Sequence, residues 1–310
     1  MQLWSLAGVL GNPPDELHTA VMPLLRILCA LVILGFPTLL GEQSQPGAFV
    51  VSRRIVTVTR PDDSTFLADL RYPATSIEPD APFADAAAPA PAIAFGHGFL
   101  CGVALYASTM EHLASHGFIV IAPHSHSGLI PDHSQYAIDL RHCLTWLEEQ
   151  DAEESKWLFE AVDTDRLAVS GHSMGGGAAM LAAAADDRID CLATLAAAET
   201  RPSAVSAARD LRCPACFIVG SDDAIVPPTT TRAQYLACRE PRQFVTIAGG
   251  SHCGFLDDGF LGCDSGTLPR PDQLARTRAA LLEFFIEHLR RPVESLEPVQ
   301  HGATDPVSDR

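Results

Sequence analysis

The sequence predicts an α/β protein, a mostly parallel, twisted sheet with an antiparallel opening hairpin and helices on both faces. Three observations predict it. Two β-rich runs joined by a turn come first, six short apolar runs alternating with helical patterns follow, and one of those runs ends in a glycine-framed serine that opens an alanine-rich helix. Alternation of strand and helix patterns implies a parallel sheet covered on both sides.

Each element has its own signal. Residues 49–59 and 66–72 are β-rich, and Pro61-Asp62-Asp63-Ser64 between them is a turn-forming run, which gives the hairpin. Residues 73–91 are rich in Ala, Pro and Asp and read as a surface loop. The apolar runs 92–95, 118–122, 167–169, 192–195, 216–219 and 244–247 read as strands, with helices expected at 105–115, 136–149, 175–185 and 229–238. Residues 274–289 carry the pattern of a closing amphipathic helix, and the polar stretch 290–310 reads as a disordered tail.

At 310 residues and 47% hydrophobic, the chain can bury a full core as one large domain or two small ones. Only 7% of it is aromatic and much of the rest of its apolar content is alanine, so its helices should pack closely. A net charge of -17 argues against a nucleic-acid partner, which would need a basic face to neutralise phosphates.

The N-terminus has a separate character. Arg26 precedes an uncharged apolar stretch, 27–40, which is shorter than the roughly 20 residues of a spanning helix and fits the apolar region of a secretory signal. Cleavage after Gly41 would leave a polar start, and Met22 is an alternative first residue that would make Arg26 the basic flank. A membrane anchor or a buried helix is the other reading. The expected organisation is therefore an extension at 1–41, a catalytic domain at 42–289 and a tail at 290–310, secreted or periplasmic. Loss of 1–41 removes Cys29 and leaves an even number of cysteines, which permits disulfides without setting their connectivity. Cys253 with Cys263, closing the loop 254–262, is the first pair to expect.

The chemistry centres on Gly171-His172-Ser173-Met174-Gly175, directly after the apolar run 167–169. A strand that turns sharply at a serine and enters a helix is a nucleophile elbow, and its glycines admit the strained turn and the close approach of the helix. Serine alone is too weak an acid to attack an ester, so a base and an orienting carboxylate are required. Asp222 and Asp223 follow the run 216–219, and His252 follows the run 244–247. Catalytic groups of parallel sheets gather beyond the carboxyl ends of the strands, and the chain order Ser, Asp, His is that of α/β-hydrolases. An oxyanion would need two backbone N–H donors. One is expected from Met174, after the serine, and one from the loop Gly96-His97-Gly98-Phe99, where Phe99 N–H is the choice and His97 braces the loop or lines the substrate pocket. His124-Ser125-His126 and Cys213-x-x-Cys216 lack further ligands at suitable spacing, so neither reads as a metal site.

Taken together, the elbow 171–177, the His97-Gly98-Phe99 loop, the stretch 114–120, the turn 223–227 and Gly250-Ser251-His252 resemble the cutinase-like polyester hydrolases and the chlorophyllases. The resemblance runs over most of residues 92–255. It implies an α/β-hydrolase fold, a serine carboxylic-ester hydrolase with no metal or organic cofactor, Asp223 rather than Asp222 as the triad carboxylate, and a small-molecule or polymeric ester as the partner. No stable protein partner is implied. Met174 and Phe99 match the cutinase-like oxyanion positions, whereas chlorophyllases resemble Gly-His-Ser-Arg-Gly at the elbow. Where the polyester hydrolases place a tryptophan that clamps an aromatic ring, this chain has Ala198-Glu199-Thr200-Arg201, so Glu199 would remove a stacking face and add charge to the substrate pocket. An acyltransferase using the same triad, and a noncatalytic binding module on the same scaffold, are the alternative functions.

Overall fold

Alternating side chains in the opening residues produce a long hairpin. In the computed structural model, which describes residues 43–290, β1 (Val50–Thr59) pairs antiparallel with β2 (Thr65–Ala74), in register from Val50 opposite Ala74 to Thr59 opposite Thr65. β3 (Ala90–Gly96), β4 (Ile119–Pro123), β5 (Val162–His172), β6 (Ile189–Leu195), β7 (Ala215–Gly220) and β8 (Arg242–Ile247) follow. The eight strands form one sheet in the order β1-β2-β4-β3-β5-β6-β7-β8, antiparallel where β2 meets β1 and β4 and parallel everywhere else. The fold is that of the α/β-hydrolases. The expected extension 1–41 and all of the tail after Arg290 lie outside the described residues, and those from Pro46 onward belong to one compact unit.

The strand order reverses at β3. From it the chain moves to β4 on one side and then crosses back to β5 on the other. Loops leaving β3 and β5 at their carboxyl ends therefore diverge, and such a reversal opens a crevice in which ligands bind.

Strand residues feed two cores, one on each face, because neighbouring side chains point to opposite sides. In β3, Ala92 and Ala94 join one cluster while Ile93 and Phe95 join the other. Helices α2 (His133–Ala152), α3 (Met174–Ala184) and α4 (Ala204–Ala208) pack on the first face, with part of α5 (Pro228–Ala237); α1 (Ala107–Ser115) and α6 (Arg270–Leu289) cover the second. Small side chains let α3 lie flat on the sheet, for Ala178, Ala179 and Ala182 are fully buried. No helix among the described residues is long and apolar enough to cross a membrane.

Several boundaries differ from the sequence reading, each for a local reason. β5 starts at Val162 rather than 167, because polar residues 163–166 hide its first half. α1 starts two residues late, since Leu105 and Tyr106 belong to a 3-10 turn, Val103–Tyr106. α2 starts earlier than 136, at His133, where the Asp132 carboxylate caps it by accepting from Gln135 N–H at 3.0 Å. The loop 73–91 is more ordered than its composition implies: Phe83 is buried and bridges to Ala74, and a 3-10 turn spans Asp85–Ala87. Five-residue α4 is too short to leave a periodic signal, and only its Ser203 cap marks it.

One buried ion pair ties the hairpin to the body. Asp139 of α2, with no exposed surface, accepts from Arg60 Nε and Nη2 at 2.7 Å each, from Ser125 Oγ at 2.6 Å and from Gln135 Nε2 at 3.1 Å. Burial opposes its ionisation, but the bonds from Arg60, His126, Ser125 and Gln135 outweigh that and hold its pKa far below the usual carboxylate range. Asp139→Asn takes the counter-charge away from the partly exposed Arg60 and weakens its bonds, and should destabilise the protein by about 2 kcal/mol at pH 7. A carboxyl with a lowered folded pKa stabilises above its unfolded value and loses that contribution as pH falls towards the folded one. Urea titrations should therefore show the full gap between wild type and variant above about pH 4, closing below it.

Candidate active site

The strand β5 ends at His172, and Ser173 takes φ 56° and ψ -120°, a left-handed conformation that costs a non-glycine residue roughly 1–3 kcal/mol. Its neighbours hold it there. Ser173 N–H donates to Leu195 O at 2.9 Å, while its carbonyl accepts from Gly177 N–H at 3.1 Å and Ala198 N–H at 2.9 Å. Glycine is required on either side by packing: a Cβ at Gly175 would lie 2.2 Å from Gly96 O, and one at Gly171 would lie 2.5 Å from Gly175 O. The helix thus begins in contact with the backbone of β3, and Ser173 stands at the crevice where the strand order reverses.

The other two candidates come from the next loops along the sheet. Asp223, after β7, and His252, after β8, are both buried and meet through His252 Nδ1 and Asp223 Oδ2 at 2.8 Å. The second oxygen of Asp223 accepts from Ile225 N–H at 3.0 Å and Val226 N–H at 2.7 Å, which fixes the carboxylate plane. Asp222 is turned elsewhere and accepts from Thr267 and Ser221. With Nδ1 engaged, His252 has Nε2 left for other work. Ser173 and His252 line one cavity of about 180 Å³ together with Gly98, Phe99, Ile225, Leu256 and Phe260. Phe99, Ile225 and Phe260 are also well exposed, so the mouth of this cavity is an apolar rim.

Two buried tyrosines suspend the loop after β3. Tyr136 Oη accepts from His97 N–H at 2.7 Å, and Tyr106 Oη accepts from Gly98 N–H at 2.9 Å while bonding His172 Nδ1 at 2.8 Å. Tyr106 thereby joins the loop to the elbow. Burial raises both phenols well above their ordinary pKa, so they stay protonated. Burial, and then the nearby ring of His252 at 4.5 Å, hold His172 well below its usual value, so it is a neutral ring between Tyr106 and His252. Among the described residues, the N–H groups of Phe99 and Met174 find no backbone acceptor, as befits a loop tip and the first residue of a helix.

Other residues singled out from sequence lie around this centre. His97 is buried, with Nδ1 2.9 Å from Gly98 O and Nε2 2.9 Å from Ser125 O, and it does not line the cavity. Glu199 is exposed and outside the lining; its carboxylate accepts from Val205 N–H at 3.1 Å. Cys253 and Cys263 form a disulfide. Cys213 and Cys216 are free, and burial pushes their thiols up to about 11 and about 12. Of the H-x-H pair, His126 packs beside Asp139 at 3.4 Å and accepts from Asp132 N–H at 3.3 Å. Among the described residues, no group of three or more His, Cys, Asp or Glu could hold a metal ion.

An α/β-hydrolase fold with a serine elbow, a His–Asp pair and an apolar cleft at the carboxyl ends of the strands defines an ester-hydrolase scaffold. The family model described as PET hydrolase-like matches residues 82–260, and the chain belongs to this family. It is accordingly a serine hydrolase of carboxylic esters. A comparison with curated proteins returns no match.

The two tyrosines escape a motif search, because an isolated Tyr in a helical pattern reads as core. Tyr106→Phe would leave Gly98 N–H and His172 Nδ1 without their partner in a dry environment, and should cost about 2 kcal/mol of stability in chemical denaturation.

Proposed function

We propose that Ser173 is the nucleophile, His252 the general base and acid, and Asp223 the orienting carboxylate of a hydrolase that cleaves a hydrophobic or medium-chain ester through an acyl-enzyme. The observation that carries the reading is the 2.8 Å bond between Asp223 and His252 at the cavity that also holds the strained Ser173. Ser173 Oγ attacks the carbonyl carbon while its proton passes to His252 Nε2; the C–O bond of the alcohol then breaks as that proton moves to the leaving oxygen. Water repeats the sequence on the acyl-enzyme, releasing the acid and restoring Ser173. Asp223 holds the imidazole with Nδ1–H towards itself and offsets the charge of the imidazolium.

The oxyanion of each tetrahedral state is taken by the N–H groups of Phe99 and Met174. That neither N–H has a backbone acceptor among the described residues supports this, as does the hanging of the Phe99 loop on Tyr106 and Tyr136, which fixes donors before charge develops. The apolar rim of Phe99, Ile225 and Phe260 favours a hydrophobic substrate, soluble or polymeric. None of these steps calls on a metal or an organic cofactor. Residues 1–41 are read as an export segment and 42–289 as the catalytic domain. The apolar stretch 27–40 supports the first, and so does the Cys253–Cys263 disulfide, since such bonds persist in oxidising compartments.

Turnover of a chromogenic short-chain ester tests the assignment. Ser173→Ala should lower kcat by at least about 10⁴-fold while leaving the denaturation midpoint near that of the wild type. Activity unchanged in that variant would remove Ser173 from the mechanism.

A further inference from the structure

The segment that follows Cys263 touches both loops of the proposed triad, and one carboxylate in it, that of Asp264, reaches the residues beside the Asp223–His252 bond. Asp264 Oδ2 accepts from Ala224 N–H at 3.0 Å and from His252 N–H at 2.9 Å, and Oδ1 accepts from Cys253 N–H at 2.9 Å. Ala224 is the residue after Asp223; His252 and Cys253 are the base and its neighbour. Gly249 N–H to Ser221 Oγ and Asp222 N–H to Gly250 O, at 2.8 Å each, join the same two loops nearer the sheet, whereas Asp264 bonds His252 itself and the residue after Asp223. The 2.8 Å bond between Asp223 and His252 closes across the same gap, so the relative position of the two loops sets its length.

Covalent structure reinforces the arrangement. Asp264 follows Cys263 directly and Cys253 follows His252 directly, so the Cys253–Cys263 disulfide runs alongside the carboxylate bonds. The His252 loop is held from its other side by α6, where buried Gln273 accepts from Ser251 N–H at 2.9 Å and donates to Ser251 O at 2.8 Å. Asp264 is half-buried; burial opposes its ionisation, but the N–H groups of Cys253, His252 and Ala224, with the His252 ring, hold its pKa below the ordinary value. It is therefore an anion at neutral pH, and its bonds to the N–H groups are of the stronger, charge-assisted kind. Residue 264 lies beyond the stretch matched by the family model.

We propose that Asp264 is a positioning residue, a carboxylate clamp that keeps the Asp223 loop and the His252 loop in register and so acts on turnover through His252 without touching the substrate. The inference rests on the triad reading above. Asparagine at this position keeps a single acceptor oxygen and turns an NH₂ towards an N–H, so at least one of the three bonds is lost and the rest lose their charge. Displacement of a catalytic group by a fraction of an ångström to an ångström costs rate more than binding.

The test compares Asp264→Asn and Asp264→Ala with the wild type, using a chromogenic butyrate ester, with active sites counted by the endpoint of labelling with a fluorophosphonate. Counting sites removes any contribution from misfolded protein. The clamp predicts that kcat per titrated site falls roughly 10- to 100-fold in Asp264→Asn, and at least as far in Asp264→Ala, with KM within about twofold of the wild type. Thr267→Val, which removes a hydroxyl bond to Asp222 from the same segment, should keep kcat within about twofold. An unchanged kcat per titrated site in Asp264→Asn overturns the proposal. So does an equal fall in Thr267→Val, which would assign the effect to the segment as a whole. A wild type that neither turns over the ester nor takes the label would instead overturn the triad reading, and this inference with it.

Discussion

A close backbone approach between the start of α3 and the end of β3 is the constraint on which the rest of the site depends. Gly96, Gly171 and Gly175 lie so near one another that a methyl group at Gly175 would penetrate the Gly96 carbonyl. This contact brings the first turn of α3 against the loop leaving β3, and it forces the left-handed backbone of Ser173. Strain at one residue of roughly 1–3 kcal/mol persists only where surrounding bonds over-determine it. Here three backbone bonds to Ser173, from β6 and from two later residues, do so.

Two buried polar systems then hold the groups proposed to act with that serine. On one side, Arg60, Asp139 and Ser125 support the His97 ring, while Tyr136 holds His97 N–H and Tyr106 holds Gly98 N–H, so a chain of bonds runs from the opening hairpin to Gly98. On the other, Gln273 and Asp264 grip the loop that bears His252. Such networks are costly if half satisfied and rigidifying if complete, which suits groups that must be placed before a reaction rather than during it. The His172 ring lies where the two systems meet, bonded to Tyr106 and packed on His252. Its neutrality, enforced by burial, keeps a positive charge away from His252, the proposed base.

Much of this was legible in the chain. Six of the eight strands announced themselves as short apolar runs, because a sheet covered on both faces needs apolar side chains at successive positions, and the opening hairpin as two β-rich runs around a turn. The elbow was legible because its glycines are demanded by contact, and the order Ser, Asp, His because loops at the carboxyl ends of successive strands converge. Polar residues at 163–166 concealed the first half of β5. The choice of Asp223 over Asp222 came from the family resemblance and not from local pattern, since adjacent residues after a strand differ only in which way they turn. Tyr106, Tyr136 and Asp264 carried no signal at all. Each acts by bonding a backbone N–H of a distant loop, and a bond of that kind prescribes no spacing or pattern in the sequence.

The central claim is that Ser173 and two backbone N–H groups form one acyl-transfer centre. A crystal structure of the protein after reaction with a fluorophosphonate tests it most directly. The account predicts phosphorus on Ser173 Oγ, with one phosphonyl oxygen about 2.7–3.1 Å from the N–H groups of both Phe99 and Met174. An adduct on another side chain, or a phosphonyl oxygen that meets neither N–H, would contradict it.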